Sequence, residues 1–206
     1  MSIVKLNNRG VRSATAFGSI SALGSMTFIK KLTASSSATL SFVDGASSVV
    51  LDNTYKEYMF TFNNMHPASD AVNFVFNGSI DSGSNYNVTK TTTFFNAYHF
   101  ENDSSAILTY NASQDLAQST DFQILEDSVG NDNDQSCAGY LHLFNPSSTT
   151  FVKHFISSNH RSFSGDASSE NHVAGYFNTT SAIDAVQFKM SSGNIDAGDI
   201  CLYGIA

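Results

Sequence analysis

The 206-residue sequence has no tryptophan, two prolines and two cysteines, and only 14% of its residues are charged. Each scarcity excludes something. Cys137 and Cys201 are too few for a disulfide framework and lack metal-ligand spacing, so they read as plain buried thiols. Pro67 and Pro146 fall between apolar runs, where turns belong, and leave the candidate strands uninterrupted. No stretch approaches the ~20 apolar residues of a membrane helix. The opening MSIVKLNNRGVRS carries charges and amides where a signal peptide has an apolar block. We therefore expect no membrane insertion and synthesis in a cytoplasm. Polysaccharide-degrading grooves commonly use flat aromatic platforms, so the missing tryptophan counts against one. It leaves room for a shallow glycan site built on Tyr86, Tyr98 or Tyr110.

Acidic residues are also missing from one region: none precedes Asp44. Five basic residues (Lys5, Arg9, Arg12, Lys30 and Lys31) give the first 43 residues a formal charge of +5. From Asp44 onward five basic residues stand against all eighteen acidic ones, a balance of −13. A basic leader on an acidic body reads as an arm that docks on something else. Residues 1–24 show no sustained period of 2 or 3.6 and are rich in Gly, Ser and Ala. Their apolar members are more numerous than a purely solvated tail would hold. Lys30 and Lys31 fall inside the first candidate strand, so the arm proper carries Lys5, Arg9 and Arg12 as its charges. Phe17, Ile20 and Leu23 are its apolar contacts.

What is abundant points to sheets. The apolar content leans on seventeen Phe and eight Tyr instead of Leu, and aromatic side chains suit a pleated, half-buried surface. Period-2 runs recur from Met26 onward: 26–32, 38–43, 58–64, 72–80, 91–100, 138–144, 151–157, 172–178, 185–190 and 199–205. These are about ten strands. The best helical candidate, 112–129, is broken by Ser-Thr-Asp at 119–121. Many short strands without intervening helices predict an all-β chain, an antiparallel β-sandwich of jelly-roll type spanning 25–206 behind an extended N-terminal arm. Residues 79–88 read as a hairpin tip, and 101–135 and 157–172 read as irregular excursions.

Candidate chemistry is sparse. Asp132 and Asp134 alternate with Asn131 and Asn133, but a calcium loop needs a glycine at its sixth position and a distal glutamate. We read a solvated turn there and expect no metal. The six histidines (His66, His99, His142, His154, His160 and His172) show no zinc-protease spacing. His142 and His154 are placed to neighbour one another across a hairpin, depending on register. No G-x-S-x-G elbow exposes a nucleophile, so we expect neither an enzyme nor a cofactor. The −13 balance argues against nucleic acid as a partner of the body.

Four stretches matter together: SIVKLNNRGVRSATAFGSISALGSMTFI, LDNTYKEYMFTFNNMHPASDAVNFVFNGSIDSGSNYNVTKTTTFF, GNDNDQSCAGYLHLFNPSSTTFVKHF and NTTSAIDAVQFKMSSGNIDAGDICLYGI. They resemble virion-associated proteins, tail-fibre-like or decorating, of marine tailed bacteriophages that infect cyanobacteria and marine heterotrophs. The likeness covers most of the chain and contains no catalytic motif. It implies a structural protein of the virion, assembled in the host cytoplasm and attached to other virion proteins by its N-terminal segment. It also implies an outward jelly-roll body in a homo-oligomer such as a trimer. Three charges and a few apolar side chains bind modestly, but several arms on a symmetric assembly add through effective concentration. The expected alternatives are a capsid decoration without a receptor role and a module that binds a host surface glycan. For the glycan module, Ser84, Asn85 and Tyr86 would form the receptor-contact loop, with 157–172 beside it. A depolymerase is the weakest reading.

Overall fold

The computed structural model describes residues 25–163 and 167–206. The expected arm, with Lys5, Arg9, Arg12, Phe17, Ile20 and Leu23, lies outside them. Among the described residues there are twelve strands and no helix. They are β1 (Met26–Ser37), β2 (Leu40–Val43), β3 (Glu57–Pro67), β4 (Val72–Ser79), β5 (Lys90–Phe100) and β6 (Ala106–Tyr110). Then follow β7 (Gln123–Val129), β8 (Cys137–Phe144), β9 (Lys153–Phe163), β10 (Ala167–Phe177), β11 (Ala185–Met190) and β12 (Ile195–Ile205). The all-β expectation holds, with every neighbouring pair antiparallel.

The strands form an eight-stranded sheet, ordered β1-β12-β3-β8-β9-β10-β5-β6, and a four-stranded sheet, ordered β2-β11-β4-β7. The pairing is nested. β1 pairs with β12, β2 with β11, β3 with β8 and β4 with β7. Two hairpins interrupt this nest, β5–β6 after β4 and β9–β10 after β8. Both extend the larger sheet beyond β8.

Alternating phenylalanines bind the sheets together. Tyr58, Phe60 and Phe62 of β3 share one buried face, as do Phe74 and Phe76 of β4 and Val186, Phe188 and Met190 of β11. Phe188 is the centre. Its ring centroid lies 5.2 Å from Phe60 and Phe62, 5.9 Å from Phe74, 6.2 Å from Phe76 and 6.3 Å from Phe42. Phe62 and Phe74 also meet edge to face across the sheets at 5.1 Å, a favoured aromatic geometry. On the far side Phe76 meets Phe155 at 5.0 Å and Phe177 at 6.0 Å, which ties the β9–β10 insertion into the same core. Cys137 and Cys201 are buried and unpaired, as expected.

Four local readings are corrected. The stretch 101–135 contains β6 and β7, and within 157–172 the residues 157–163 belong to β9 and 167–172 to β10, which pair antiparallel. Residues 79–88 are not a hairpin tip, because β4 and β5 belong to different sheets. The segment is a crossover that starts with a tight turn, in which Ser82 and Gly83 take positive φ (57° and 79°). Pro67 is the last residue of β3, not a residue between strands. Its ring removes only one donor at a strand end, where the loss is tolerated.

Phe188→Ala should destabilise the fold by about 3–5 kcal/mol, since it opens a cavity beneath five rings. Phe151→Ala, at a 70% exposed position, should stay within about 0.5 kcal/mol of wild type. Urea unfolding followed by tyrosine fluorescence or far-UV circular dichroism measures both. Equal losses would contradict this account of the core.

Candidate functional site

The expected receptor-contact residues sit on a rigid turn. Asp81 Oδ1 accepts from Ser79 Oγ (2.7 Å) and from the Asn85 amide (2.9 Å), and Asp81 Oδ2 accepts from Asn85 Nδ2 (2.7 Å). These bonds hold the Asp81 carboxyl below the usual carboxylate range. Both Asp184 oxygens accept from the Ser82 amide at 3.0 Å. Ser84 and Asn85 are exposed, Tyr86 is half-buried, and the Tyr86 carbonyl accepts from the buried Asn77 Nδ2 at 2.9 Å. The turn is well ordered by its own hydrogen bonds, but no concavity opens beside it among the described cavities.

A concave site does form elsewhere, from the mismatch between eight strands and four. β5 and β6 lie beyond the part of the larger sheet to which β7 packs, so part of β5's inner face needs another cover. At the Lys90 end the chain after β6 supplies it. The Ser119 and Leu116 backbones pair with Lys90 and Thr92. Gln123 Oε1 accepts from Thr92 Oγ1 at 2.6 Å, and the Asp121 carbonyl accepts from Lys90 Nζ. Burial there lowers the Lys90 pKa to about 8, against an opposing pull from Asp121. At the other end, Asn96–Phe100, the inner face stays open. The result is a cleft of about 280 Å³ lined by Asn96, Tyr98 and Phe100 of β5, Asp127 and Ser128 of β7, Arg161 of β9, and Ala167 and Ser169 of β10.

The inner wall of this cleft is polar and buried. β9 presents Phe155, Ser157, Asn159 and Arg161 inward in strict alternation. Arg161 Nη1 donates to Glu126 Oε1 at 3.0 Å and to Asp127 Oδ1, which lies closer. Asn171 Nδ2 donates to the same two carboxylates, at 2.7 and 3.0 Å. Glu126 is fully buried, and burial pushes its pKa well above the usual carboxylate range against the pull of Arg161. Buried polar atoms normally find partners. Here Asn96 Oδ1, Ser169 Oγ, Asn171 Oδ1 and Glu126 Oε2 have none among the described residues. The wall also carries backbone strain, since Ser128 has φ 43° while its amide donates to Asn73 Oδ1 at 2.9 Å.

A second feature is the outer face of the larger sheet. Five of the six histidines (His99, His142, His154, His160 and His172) lie on it, interleaved with rings. Phe95 stacks on His172 at 5.0 Å, Tyr140 meets His142 at 5.4 Å, and Phe28 meets Tyr203 at 5.7 Å. The register sets His142 opposite Ile156, so His154 is its diagonal neighbour and not its direct partner. Leu108 (74%), Phe28 (56%), Tyr110 (54%) and Ile156 (50%) are the most exposed apolar members of this face.

Residues 130–136 form a turn in which the Gln135 amide bonds to the Asp132 carbonyl (2.9 Å), near the His66 ring (3.3 Å). Among the described residues no three His, Cys, Asp or Glu side chains converge in a way that could hold an ion. Of the residues lining the cleft, sequence reasoning singled out Tyr98 alone and missed the polar wall. The available signal was polar residues at inward positions of a period-2 run, namely Ser157, Asn159 and Arg161 continuing the phase of Phe155.

Glu126 holds its proton more tightly in the folded than in the unfolded chain. Above its ordinary value of 4.5 the folded state therefore binds more protons, and stability falls as pH rises through that window. Arg161→Leu removes the counter-charge. It should cost about 3–5 kcal/mol near neutral pH and clearly less in mild acid, where a protonated Glu126 needs no partner. Urea titrations of both proteins under the two conditions check the difference, and a cost independent of pH would refute it.

Comparison with known proteins finds no matching family model, no matching curated protein and no matching solved structure.

Proposed function

We propose that this chain is a non-enzymatic structural protein of a tailed-bacteriophage virion. Its body is a jelly-roll sandwich that assembles with further copies through the outer face of the larger sheet, and residues 1–24 fasten it to other virion proteins. The outer face carries the reading. Monomeric soluble proteins rarely leave a broad contiguous apolar patch open to water, and here Phe28, Tyr140, Ile156, Phe95, Tyr110 and Leu108 are exposed on one sheet surface. Formal charges on that surface are few, while the chain as a whole carries −8. Copies of an acidic protein repel one another except where a charge-poor patch lets them touch. That favours a second copy as the occupant.

The nested strand order supports the jelly roll. Without the two inserted hairpins, eight strands remain in two four-stranded sheets, β1-β12-β3-β8 and β2-β11-β4-β7. Successive strands of this set alternate between the sheets except at β4 and β7, which pair within the smaller one as the end of one long hairpin rolled upon itself. The resemblance described above and the basic arm on an acidic body support the virion setting. The Ala206 amide donates to the Ser25 carbonyl at 3.0 Å, so Ser25, to which the proposed arm is joined, sits at the β1 edge of the larger sheet.

Ile156→Glu places a charge in the middle of the outer face. It should convert the oligomer to monomer in light scattering coupled to size exclusion, with an unchanged circular dichroism spectrum. A wild-type protein that stays monomeric at every concentration tested would overturn the assembly. Deleting residues 1–24 should leave the body folded and remove it from purified particles. Truncated protein at full stoichiometry in the particles would overturn the anchoring role.

A further inference from the structure

The cleft between β5, β7, β9 and β10 is built to hold something, and assembly through the outer face leaves it free, because it opens on the opposite, inner side of the sheet. We infer that it binds a single neutral sugar ring of a larger glycan. The inference goes beyond the structural role proposed above and stands or falls separately from it.

Four observations select that ligand class. The first is charge: Arg161 already faces both Glu126 and Asp127, so little positive potential is left to attract an anion, while the guanidinium disfavours a cation. A neutral ligand is what remains. The second is the polar inventory. Asn96 is 8% exposed and Ser169 2%, and Asn96 Oδ1 and Ser169 Oγ have no hydrogen-bond partner among the described residues although both residues line the cleft. An amide oxygen accepts, a hydroxyl both donates and accepts, and the Asp127 carboxylate accepts. Ligand hydroxyl groups satisfy all three.

The third observation is the aromatic wall. Tyr98 and Phe100 line the same cleft, half-buried, with their rings perpendicular at 5.7 Å. A ring with an apolar face and a hydroxylated rim fits such a wall, where one side of the pocket is aromatic and the other polar. The fourth is size. The cleft holds about 280 Å³, at the lower limit of the roughly 300–1,000 Å³ that encloses a drug-sized ligand, which suits one ring and not a chain. The strained φ of 43° at Ser128 adds the kind of local backbone cost found where surrounding structure holds a functional wall in place.

The site differs from the receptor-contact loop expected at Ser84, Asn85 and Tyr86, which line none of the described cavities. It does use the 157–172 region, through Arg161 and Ser169 on facing strands (Ser169 lies opposite Arg161). Tyr98 is one of the three tyrosines that the composition left open for a shallow glycan site.

Saturation-transfer NMR on the full chain tests this with D-glucose, D-galactose, N-acetyl-D-glucosamine and L-rhamnose as neutral probes and D-glucuronate as the charged control. At least one neutral sugar should receive saturation and titrate with a millimolar dissociation constant, and glucuronate should not. Tyr98→Ala and Ser169→Val should each weaken the binding by about tenfold or more, with melting temperature and oligomeric state unchanged. Ser169→Thr, which keeps the hydroxyl, should retain binding and so separates lost chemistry from lost packing. Three outcomes each overturn the inference: no neutral sugar binds, glucuronate binds better than the neutral probes, or Tyr98→Ala binds as wild type. None of them bears on whether the protein assembles into particles.

Discussion

The contact between Phe188 and its five phenylalanine neighbours is the constraint on which the rest of the fold rests. It reaches β2, β3 and β4 from a position on β11, and so fixes both sheets at one point. The partners alternate along their strands, and a one-residue slip in any of them would turn its rings to the opposite face. Register in the small sheet is thus set by packing as well as by backbone hydrogen bonds. The link continues through Phe76 to Phe155 and Phe177, so the β9–β10 insertion takes its position from the same aromatic system.

From that anchored centre the larger sheet runs on past its cover. The consequence is graded burial along β5. At the Lys90 end the backbone of residues 116–121 and the side chain of Gln123 close over the strand, and a lysine amine is buried against a carbonyl. At the Phe100 end only Asp127 and Ser128 of the small sheet come near, and aromatic and amide groups line an open cleft instead. At this open end lies the Arg161–Glu126–Asp127 group, with Arg161 level with Tyr98 across β10. Such buried charge is tolerated only with partners and hydrogen bonds in place, and Asn171 supplies the additional donor that the two carboxylates share. One geometric fact, eight strands against four, accounts for both the covered and the uncovered end.

The parts of this fold legible in the sequence were those whose alternation is apolar. Tyr58, Phe60 and Phe62, or Val186, Phe188 and Met190, announce a strand and its buried face together. β6 did not, because all five of its residues are exposed and no burial pattern exists to be read. β7 was obscured by Glu126 and Asp127, which look like solvated charges until Arg161 is brought to them from 34 and 35 residues away. The distal part of the β9–β10 hairpin, within 157–172, read as a loop for a related reason: its inward positions are Ser157, Asn159 and Arg161 on one arm and Ser169 and Asn171 on the other, polar because they line a polar chamber. The cleft was therefore least visible where its chemistry is richest. Likewise the outer face, with histidines on four neighbouring strands, depends on register that spacing alone cannot supply.

The nested pairing has a consequence for how the chain reaches this state. Lys31 on β1 bonds to Asp199 on β12, 168 residues later in the sequence, so the first described strand is synthesised long before its partner exists. Loop closure of that span makes folding a slow, non-local event of about milliseconds to seconds rather than microseconds. During that interval β1 is an unpaired edge. Its consecutive lysines, Lys30 and Lys31, are charges of the kind that keep a waiting edge from pairing with the wrong chain. The charges that first seemed to belong to a docking arm thus protect a strand while it waits for its partner.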